Sequence, residues 1–532
     1  MNKNGILVGF LVLVLFLGTT MPFAIATETQ EQEIEDAIVA GLNWLANHQD
    51  DEGYWGFPDR VGKTGLALLK FEERAKELGY DSPFNPEYIY SENVEKGFQY
   101  IFRNVYMMDT DDPDTEPDAL YIIDFEGWAN YVHYVYEHSI AMMAIAASGT
   151  PDRVVDVTES PVYGWTFEEV MQFAINYLLY CQKDEGGWSY SAPGQNMNWM
   201  PSDNSNTGYA VLAMTYAQTR FGLSIPEGVK VALSEFIDYI QTDPDDEYYD
   251  VGEEGGSGYR DPGLWVNILK TGNLLYEMAF VGDTMDSERA QAALDFIERY
   301  WDDPNWSPGW RGPGWEGEQN PDYQTMYTAM KGFLAMGIEA ILVGDIEVDW
   351  FDDFVTAILD TQNEDGSWPW DEWGDPFITT SWALLTLEKA VEIPTIEVSI
   401  DIKPESWPNP INILSQGKFA VAICGTEDFD VHEIDPASIS ISIDGVEDSV
   451  YPLFWSYQDV ATPYILGDGG GHEEGSDGYI DLVLHFWIPE VVITLDLEDH
   501  AGETVSLIAS GYLKEDYGGT PIHGEDLAWI LT

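Results

Sequence analysis

One phrase occurs three times in this chain and limits what it can fold into. "LNWLANHQDDEGYWG" (42–56), "YLLYCQKDEGGWSYS" (177–191) and "AILDTQNEDGSWPW" (357–370) each carry an apolar helical stretch into Gln, an acidic turn, Gly and Trp. The aligned residues are Gln49, Gly53 and Trp55, then Gln182, Gly186 and Trp188, then Gln362, Gly366 and Trp368. Each has a physical job. Gly supplies the backbone freedom a tight turn needs after a helix end. The Gln amide both donates and accepts, so it can tie the turn to free groups at the next helix terminus. Trp spreads a broad apolar face while its indole N–H finds a carbonyl. The phrase therefore predicts a structural unit, repeated and fastened end to end.

Hydrophobic periodicity agrees. Twelve candidate helices fall at 31–47, 63–78, 92–104, 134–148, 165–181, 206–221, 227–242, 265–281, 286–302, 322–342, 348–361 and 377–390. They form six pairs. The second of a pair is apolar nearly all round, as in "SIAMMAIAASG" (139–149) and "TGYAVLAMTYA" (207–217). The first is amphipathic, as in "EEVMQFAINYLLYCQ" (168–182). All-round apolar helices belong inside and amphipathic ones outside. Outer and inner helices alternating with a period near 60 residues read as a repeat architecture that six hairpins can close into a ring.

Past Pro394 the pattern changes to short β-branched runs bounded by Gly, Pro and Asp, among them "KFAVAICG", "SISISIDG", "GYIDLVLHFWI", "VVITLDLED" and "TVSLIASGYL". Residues 395–532 are expected to form an all-β sandwich. At the other end, Lys3, an apolar run over 6–17 and Ala24-Ile25-Ala26 read as a secretory signal over 1–26, cut after Ala26 or retained as an anchor. The ring would then span 27–393, and the protein would be secreted or displayed at the cell surface. Cys181 and Cys424 fall in different regions and read as free, buried thiols. With 22 Lys plus Arg against 95 Asp plus Glu, the net charge is −73, which repels nucleic acid and anionic membranes.

"AGLNWLANHQDDEGYW" resembles the QW motif of the squalene–hopene cyclase and protein prenyltransferase superfamily, whose fold is an α6/α6 toroid of six helical hairpins. The resemblance covers most of 31–393. Two further copies are degenerate, Gln241 with Gly258-Tyr259 and Gly309-Trp310, and the second repeat keeps only Gly127-Trp128. Such toroids also serve in complement-like domains and polysaccharide lyases, so the resemblance implies a fold more firmly than a reaction.

The chemistry the family implies is missing from its expected places. Class II cyclases protonate an alkene with the central Asp of D-x-D-D-T at the start of an inner helix. Asp109 to Asp112 spell D-T-D-D, but "DTDDPDTEPD" runs into Pro and more acid and opens no apolar helix. In "DNSNTGYAVLAM" the register fits, yet Ser205 stands at the donor's position and Asn206 beside it. Asp203, Asp322 and Asp375 begin inner helices and suit helix capping as well as acid–base work. No prenyltransferase-like zinc set and no Gly-Cys-Gly-Glu-Gln thioester occurs. His138 opens an inner helix beside Glu137, with His133 five residues before; either His suits a base or a cavity-lining donor. Tyr134, Tyr136, Tyr209, Tyr323 and Trp382 are candidate cavity-lining aromatics.

The C-terminal region resembles a β module of secreted bacterial and archaeal proteins. In "GDGGGHEEGSDGYIDLVLHF", Asp468, Glu473, Glu474, Asp477 and Asp481 surround Gly-rich turns, where oxygen ligands suit calcium, although the spacing departs from a D-x-D-x-D-G loop and so favours a solvated turn. Two functions stay open. One is a monomeric surface protein that binds a cell-surface component, glycan or hydrophobic small molecule without catalysis. The other is an enzyme acting in the toroid cavity, like a terpenoid cyclase or a polysaccharide lyase.

Overall fold

A computed structural model of the chain describes residues 21–108, 118–125, 133–193, 195, 199–301, 321–370, 374–390, 396–404, 406–426, 429–443, 449–463, 475–498, 500–514, 517 and 521–531. Ahead of residue 390 it holds helices α1 (Met21–Asn47), α2 (Arg60–Glu77), α3 (Ser91–Arg103), α4 (Tyr134–Ala147), α5 (Phe167–Cys181) and α6 (Asn204–Phe221). They are followed by α7 (Glu227–Ile240), α8 (Ile268–Val281), α9 (Glu288–Tyr300), α10 (Tyr323–Ala335), α11 (Trp350–Thr361) and α12 (Pro376–Leu387).

The even-numbered helices touch in cyclic order: α2 packs on α4, α4 on α6, α6 on α8, α8 on α10, α10 on α12, and α12 returns to α2. The odd-numbered helices lie outside, for example α3 against α2, α5 against α4, and α7 and α9 against α8. This is a helical toroid. Its sequence cause is visible in burial. In α4 every residue but Tyr136 is buried, whereas in α9 only Ala290, Ala293, Phe296 and Ile297 are, a single stripe at helical spacing.

Two details depart from expectation. The candidate helix over 322–342 stops at Ala335, because Gly337 takes a left-handed φ of 64°. Hairpins also appear where none was expected. β1 (Val105–Met108) pairs with β2 (Ala119–Ile122) between α3 and α4, and β3 (Ile341–Val343) with β4 (Ile346–Val348) after α10. The acidic Asp109–Asp112 stretch lies outside the described residues, as do Gly127-Trp128, Gly309-Trp310 and the apolar run over 6–17. Among the described residues no helix is long and apolar enough to cross a membrane.

The C-terminal part is built of β5 (Ile396–Glu397), β6 (Ile400–Ile402), β7 (Pro410–Asn412), β8 (Lys418–Ile423), β9 (Ser440–Ile443), β10 (Phe454–Gln458), β11 (Asp481–Trp487), β12 (Thr504–Tyr512) and β13 (Pro521–Leu531). One sheet runs β10-β11-β8-β6 and the other β5-β13-β12-β9, with β7 beside β13. The two sheets share one apolar core that includes Ile400, Val421, Leu484, Ile441, Leu507 and Ile530. That core is separate from the toroid's. "VVITLDLED" does not form a strand. Ile488–Thr494 is a helix, α13, with Pro489 in its first turn and Ile488, Val491 and Val492 buried at helical spacing. Cys181 and Cys424 are buried free thiols.

Candidate functional site

The repeated turns form the outer part of one rim of the toroid. In each, Gln ends an outer helix and its amide donates twice: once to the turn Gly carbonyl, once to a carbonyl of the next outer helix, in the first turn of that helix for Gln49 and Gln182 and within α1 for Gln362. Gln49 donates to Gly53 and Asn93, Gln182 to Gly186 and Val229, and Gln362 to Gly366 and Ala37. The last of these ties α11 back to α1. The Gly residues have φ near 100°, and a Cβ on Gly186 would sit 1.8 Å from the Ala232 carbonyl oxygen. Trp55, Trp188 and Trp368 are fully buried, and each indole N–H donates 2.8 Å to a carbonyl of its own outer helix.

A fourth copy is present in altered form. Gln241 donates to Gly255 and to Arg289, so the turn glycine is Gly255 and not the Gly258 expected from the sequence. Ser257 takes the position of the Trp, and its amide donates to Thr271 Oγ1 as Trp188 donates to Thr207 Oγ1. Tyr259 is left over from the turn and faces elsewhere.

It faces a cavity of about 450 Å³ at the N-terminal ends of the inner helices, to which all six contribute. α2 supplies Lys63, α4 Tyr136 and Glu137, α6 Ser205 and Tyr209, α8 Lys270, α10 Gln324 and α12 Trp382. Tyr190, Tyr259 and Trp265 enter from the connections. Tyr190 and Tyr259 hydroxyls lie 2.8 Å apart, and Tyr259 stacks on Trp265. Ser205, in the first turn of α6, lines the cavity as well.

How the six inner helices begin separates structural acids from the rest. Asp203, Asn267, Asp322 and Asp375 precede α6, α8, α10 and α12, and each accepts from the amides of its own first turn. The residues before α2 and α4 are Asp59 and His133, and neither side chain caps its helix. They bond to each other, His133 Nδ1 to Asp59 Oδ1 at 3.2 Å, on the cavity wall. Asp59 holds a left-handed backbone (φ 59°, ψ 45°), a conformation disfavoured outside Gly and kept where surrounding structure imposes it. The amides it leaves uncapped are served from the neighbouring helix: Val61 and Gly62 N–H donate to Glu137 Oε2 at 3.2 and 3.4 Å.

Glu137 follows His133 by four residues and so shares its face of α4. It is almost wholly buried. Burial first, then the nearby Asp59 and Asp124 carboxylates, push its pKa well above the ordinary range, against the pull of the Gly62 and Asp124 amides. Lys63 is ion-paired with Asp375, Nζ to Oδ2 at 2.7 Å. The cavity thus unites aromatic faces, a buried carboxyl whose pKa is raised, a His–Asp pair and lysine.

Of the residues expected from sequence, Tyr136, Tyr209 and Trp382 line this cavity, and Tyr134 and Tyr323 do not. Tyr134 packs against Tyr121 and Phe125, and Tyr323 is fully buried with its hydroxyl on Thr361 Oγ1. Tyr134 lies two positions before the inward-facing Tyr136, and Tyr323 one position before Gln324. His138 is also structural. Ile122 N–H donates to its Nδ1, so Nε2–H donates to the Ala174 carbonyl, and burial lowers its pKa to about 4. Asp203, Asp322 and Asp375 act as caps. Asp203 is fully buried, which raises its pKa to about 6 despite two bonds from the Asn206 side chain.

Of the calcium candidates, Asp477 and Asp481 fall among the described residues. Asp468, Glu473 and Glu474 lie outside the described residues. Asp481 accepts the Gly425, Val460 and Ala461 amides, and Asp477 accepts that of Tyr479. Among the described residues no three His, Cys, Asp or Glu side chains are grouped to hold a metal ion. The sequence reading missed Asp59, Lys63, Tyr190, Tyr259, Trp265 and Lys270. The available signal was position: Asp59 opens an inner helix just after Trp55, as Asp375 does after Trp368.

No family model matches the chain, and no curated protein does. Among solved structures it is similar to a type II terpene cyclase from Scytonema in complex with merosterolic acid A (12% identity over 68% of this chain and 98% of that one, TM-score 0.41). It is also similar to an inactive variant of an α-1,6-mannanase of Salegentibacter sp. in complex with α-1,6-mannotriose (10% identity, 67% and 99%, TM-score 0.40). A family 76 glycoside hydrolase (mannosidase) from Bacteroides thetaiotaomicron matches at 11% identity over 67% and 97%, with a TM-score of 0.41.

Proposed function

We propose that this chain is an exported protein whose toroid cavity receives a glycan. One observation supports this above others: the cavity interleaves aromatic faces with polar groups. Tyr136, Tyr209, Tyr259, Trp265 and Trp382 alternate with Asp59, His133, Asn267, Lys270 and Gln324. A sugar ring has apolar C–H faces that stack on aromatics and hydroxyls at its edge that pair with such polar groups. An isoprenoid would satisfy the first set and leave the second desolvated and unpaired, at about 1–3 kcal/mol for each group. In the same reading, residues 1–26 direct export, 27–393 form a six-hairpin toroid, and 395–532 are an accessory module at the cell surface. The net charge of −73 weighs against a nucleic-acid partner.

The test is a titration of the full chain with short neutral and uronate oligosaccharides and, in parallel, with squalene, followed by tryptophan fluorescence and saturation-transfer NMR. A glycan is expected to bind and to lose at least tenfold in affinity in Trp382→Ala. Binding of squalene with no response to any glycan would overturn the reading.

A further inference from the structure

We infer that the cavity is catalytic, with Glu137 as proton donor and His133, oriented by Asp59, as the base that activates water for glycosidic bond hydrolysis. The inference rests on the glycan reading above and deepens it.

Three observations on position carry it. First, Asp59 and His133 are the two inner-helix starts whose side chains do not cap their helices, and they bond to each other. An Asp before a helix ordinarily caps it, as Asp203, Asp322 and Asp375 do here. Asp59 forgoes that bond in a left-handed backbone, and Glu137 serves the abandoned amides from α4. Secondly, Asp59 on Nδ1 fixes the imidazole and leaves Nε2 to take a proton, the arrangement by which a carboxylate orients a histidine base. Thirdly, His133 and Glu137 stand four residues apart on one helix face, and both line the aromatic cavity with Asp59. A base and an acid thus stand one helical turn apart on the same wall of the space a sugar ring would fill.

The step balances without a further reagent. Water oxygen bonds to the anomeric carbon as one of its protons passes to His133 Nε2. The anomeric C–O bond to the leaving group breaks as Glu137 gives its proton to that oxygen. Solvent returns the proton from the imidazolium to the Glu137 carboxylate, and one water is consumed per bond cleaved. A single displacement of this kind inverts the anomeric centre. Asp59 acts through His133 and is a positioning residue.

The experiment follows hydrolysis by proton NMR. The full chain is incubated with α- and β-linked oligosaccharides and with aryl glycosides of the same sugars, and binding is measured alongside. The first product anomer is expected to be inverted. Glu137→Gln should lose roughly 10²–10⁴-fold on the oligosaccharide and recover most of that on the aryl glycoside, whose leaving group needs no proton. His133→Ala should lose a similar factor, and added azide should restore turnover as an inverted glycosyl azide. Asp59→Asn should lose less, with binding retained in all three variants.

Several outcomes would overturn the inference. These are a glycan that binds without turnover, a retained anomer, an unsaturated elimination product, or variants that lose binding and turnover together with no aryl or azide recovery. Failure of every glycan to bind would instead remove the reading beneath it.

Discussion

The outer and inner edges of the same rim obey different rules. At the outer edge, local chemistry and global fold agree: each Gln, Gly and Trp of the repeated turn does what its type does best, and the polar groups of the turn find partners within the fastening. At the inner edge two of the six helix starts break the local rule, and the break is mended from a neighbouring helix. Natural sequences are locally consistent except where function asks otherwise. Consistency marks scaffold and local violation marks a site, and each half can be broken by substitution.

The largest expected effect is at the outer edge. Trp188 is fully buried, its indole bonded to Leu178 and its amide to Thr207. Trp188→Ala should cost about 3–5 kcal/mol in chemical denaturation, from lost burial and the cavity left behind. A loss under about 1 kcal/mol would show that the turns do not carry the ring. Gln182 contributes less. Removing its amide takes a donor from the Gly186 and Val229 carbonyls, so Gln182→Ala should cost about 1–3 kcal/mol.

His138 tests the distinction between a buried structural histidine and a cavity one. Its pKa of about 4 lies below the unfolded value near 6.5, so the folded state holds it neutral. Below pH 6.5 the unfolded chain takes a proton that the folded chain refuses. Its contribution to stability is therefore present above that pH and lost as pH falls to about 4, a total of roughly 3 kcal/mol. Asp203 works the other way. Its pKa of about 6 exceeds the unfolded value, so its contribution is present below about pH 4 and lost as pH rises through 6. The two oppose each other, and the buried carboxyls of Glu72, Glu137 and Glu277, whose pKa values are also raised by burial, act in the same sense as Asp203, so the measurement is the difference between variant and wild type. His138→Gln should remove the acid-side loss and leave stability that falls with rising pH between 4 and 6. A variant that keeps the wild-type pH profile would show that His138 titrates normally.

What could be read from sequence follows the same division. Three of the four Gln-anchored turns were visible because residue types and spacing repeat, and the helices because their apolar period does. The fourth was misaligned, at Gly258 and not Gly255, because Ser257 replaces the Trp that marks the register. α13 was read as a strand, since Val491 and Val492 are β-formers individually and Pro489 outweighs them only as a helix start. The cavity was legible only at Tyr136, Tyr209 and Trp382. Asp59 and His133 lie 74 residues apart, and no pattern within one repeat announces that they meet. Asp203, Asp322 and Asp375 looked like the better acids because capping and acid–base chemistry ask for the same residue at the same place.

The smallest expected effect is the one that most sharpens the comparison, because it should change sign between otherwise similar residues. Asp203 accepts the Asn206 amide, so Asp203→Ala should lower stability by about 1 kcal/mol or more through loss of a cap. Asp59 provides no cap and carries a left-handed backbone, whose relief by glycine is favourable by about 1 kcal/mol. Against this stands the partly exposed bond to His133, and bonds at that exposure contribute only a few tenths to about 1 kcal/mol. Asp59→Gly should therefore leave thermal stability unchanged or slightly raised while weakening whatever the cavity does to a bound glycan. A clear loss of stability in Asp59→Gly, as large as that in Asp203→Ala, would place Asp59 with the caps and return the inner edge of the rim to the scaffold.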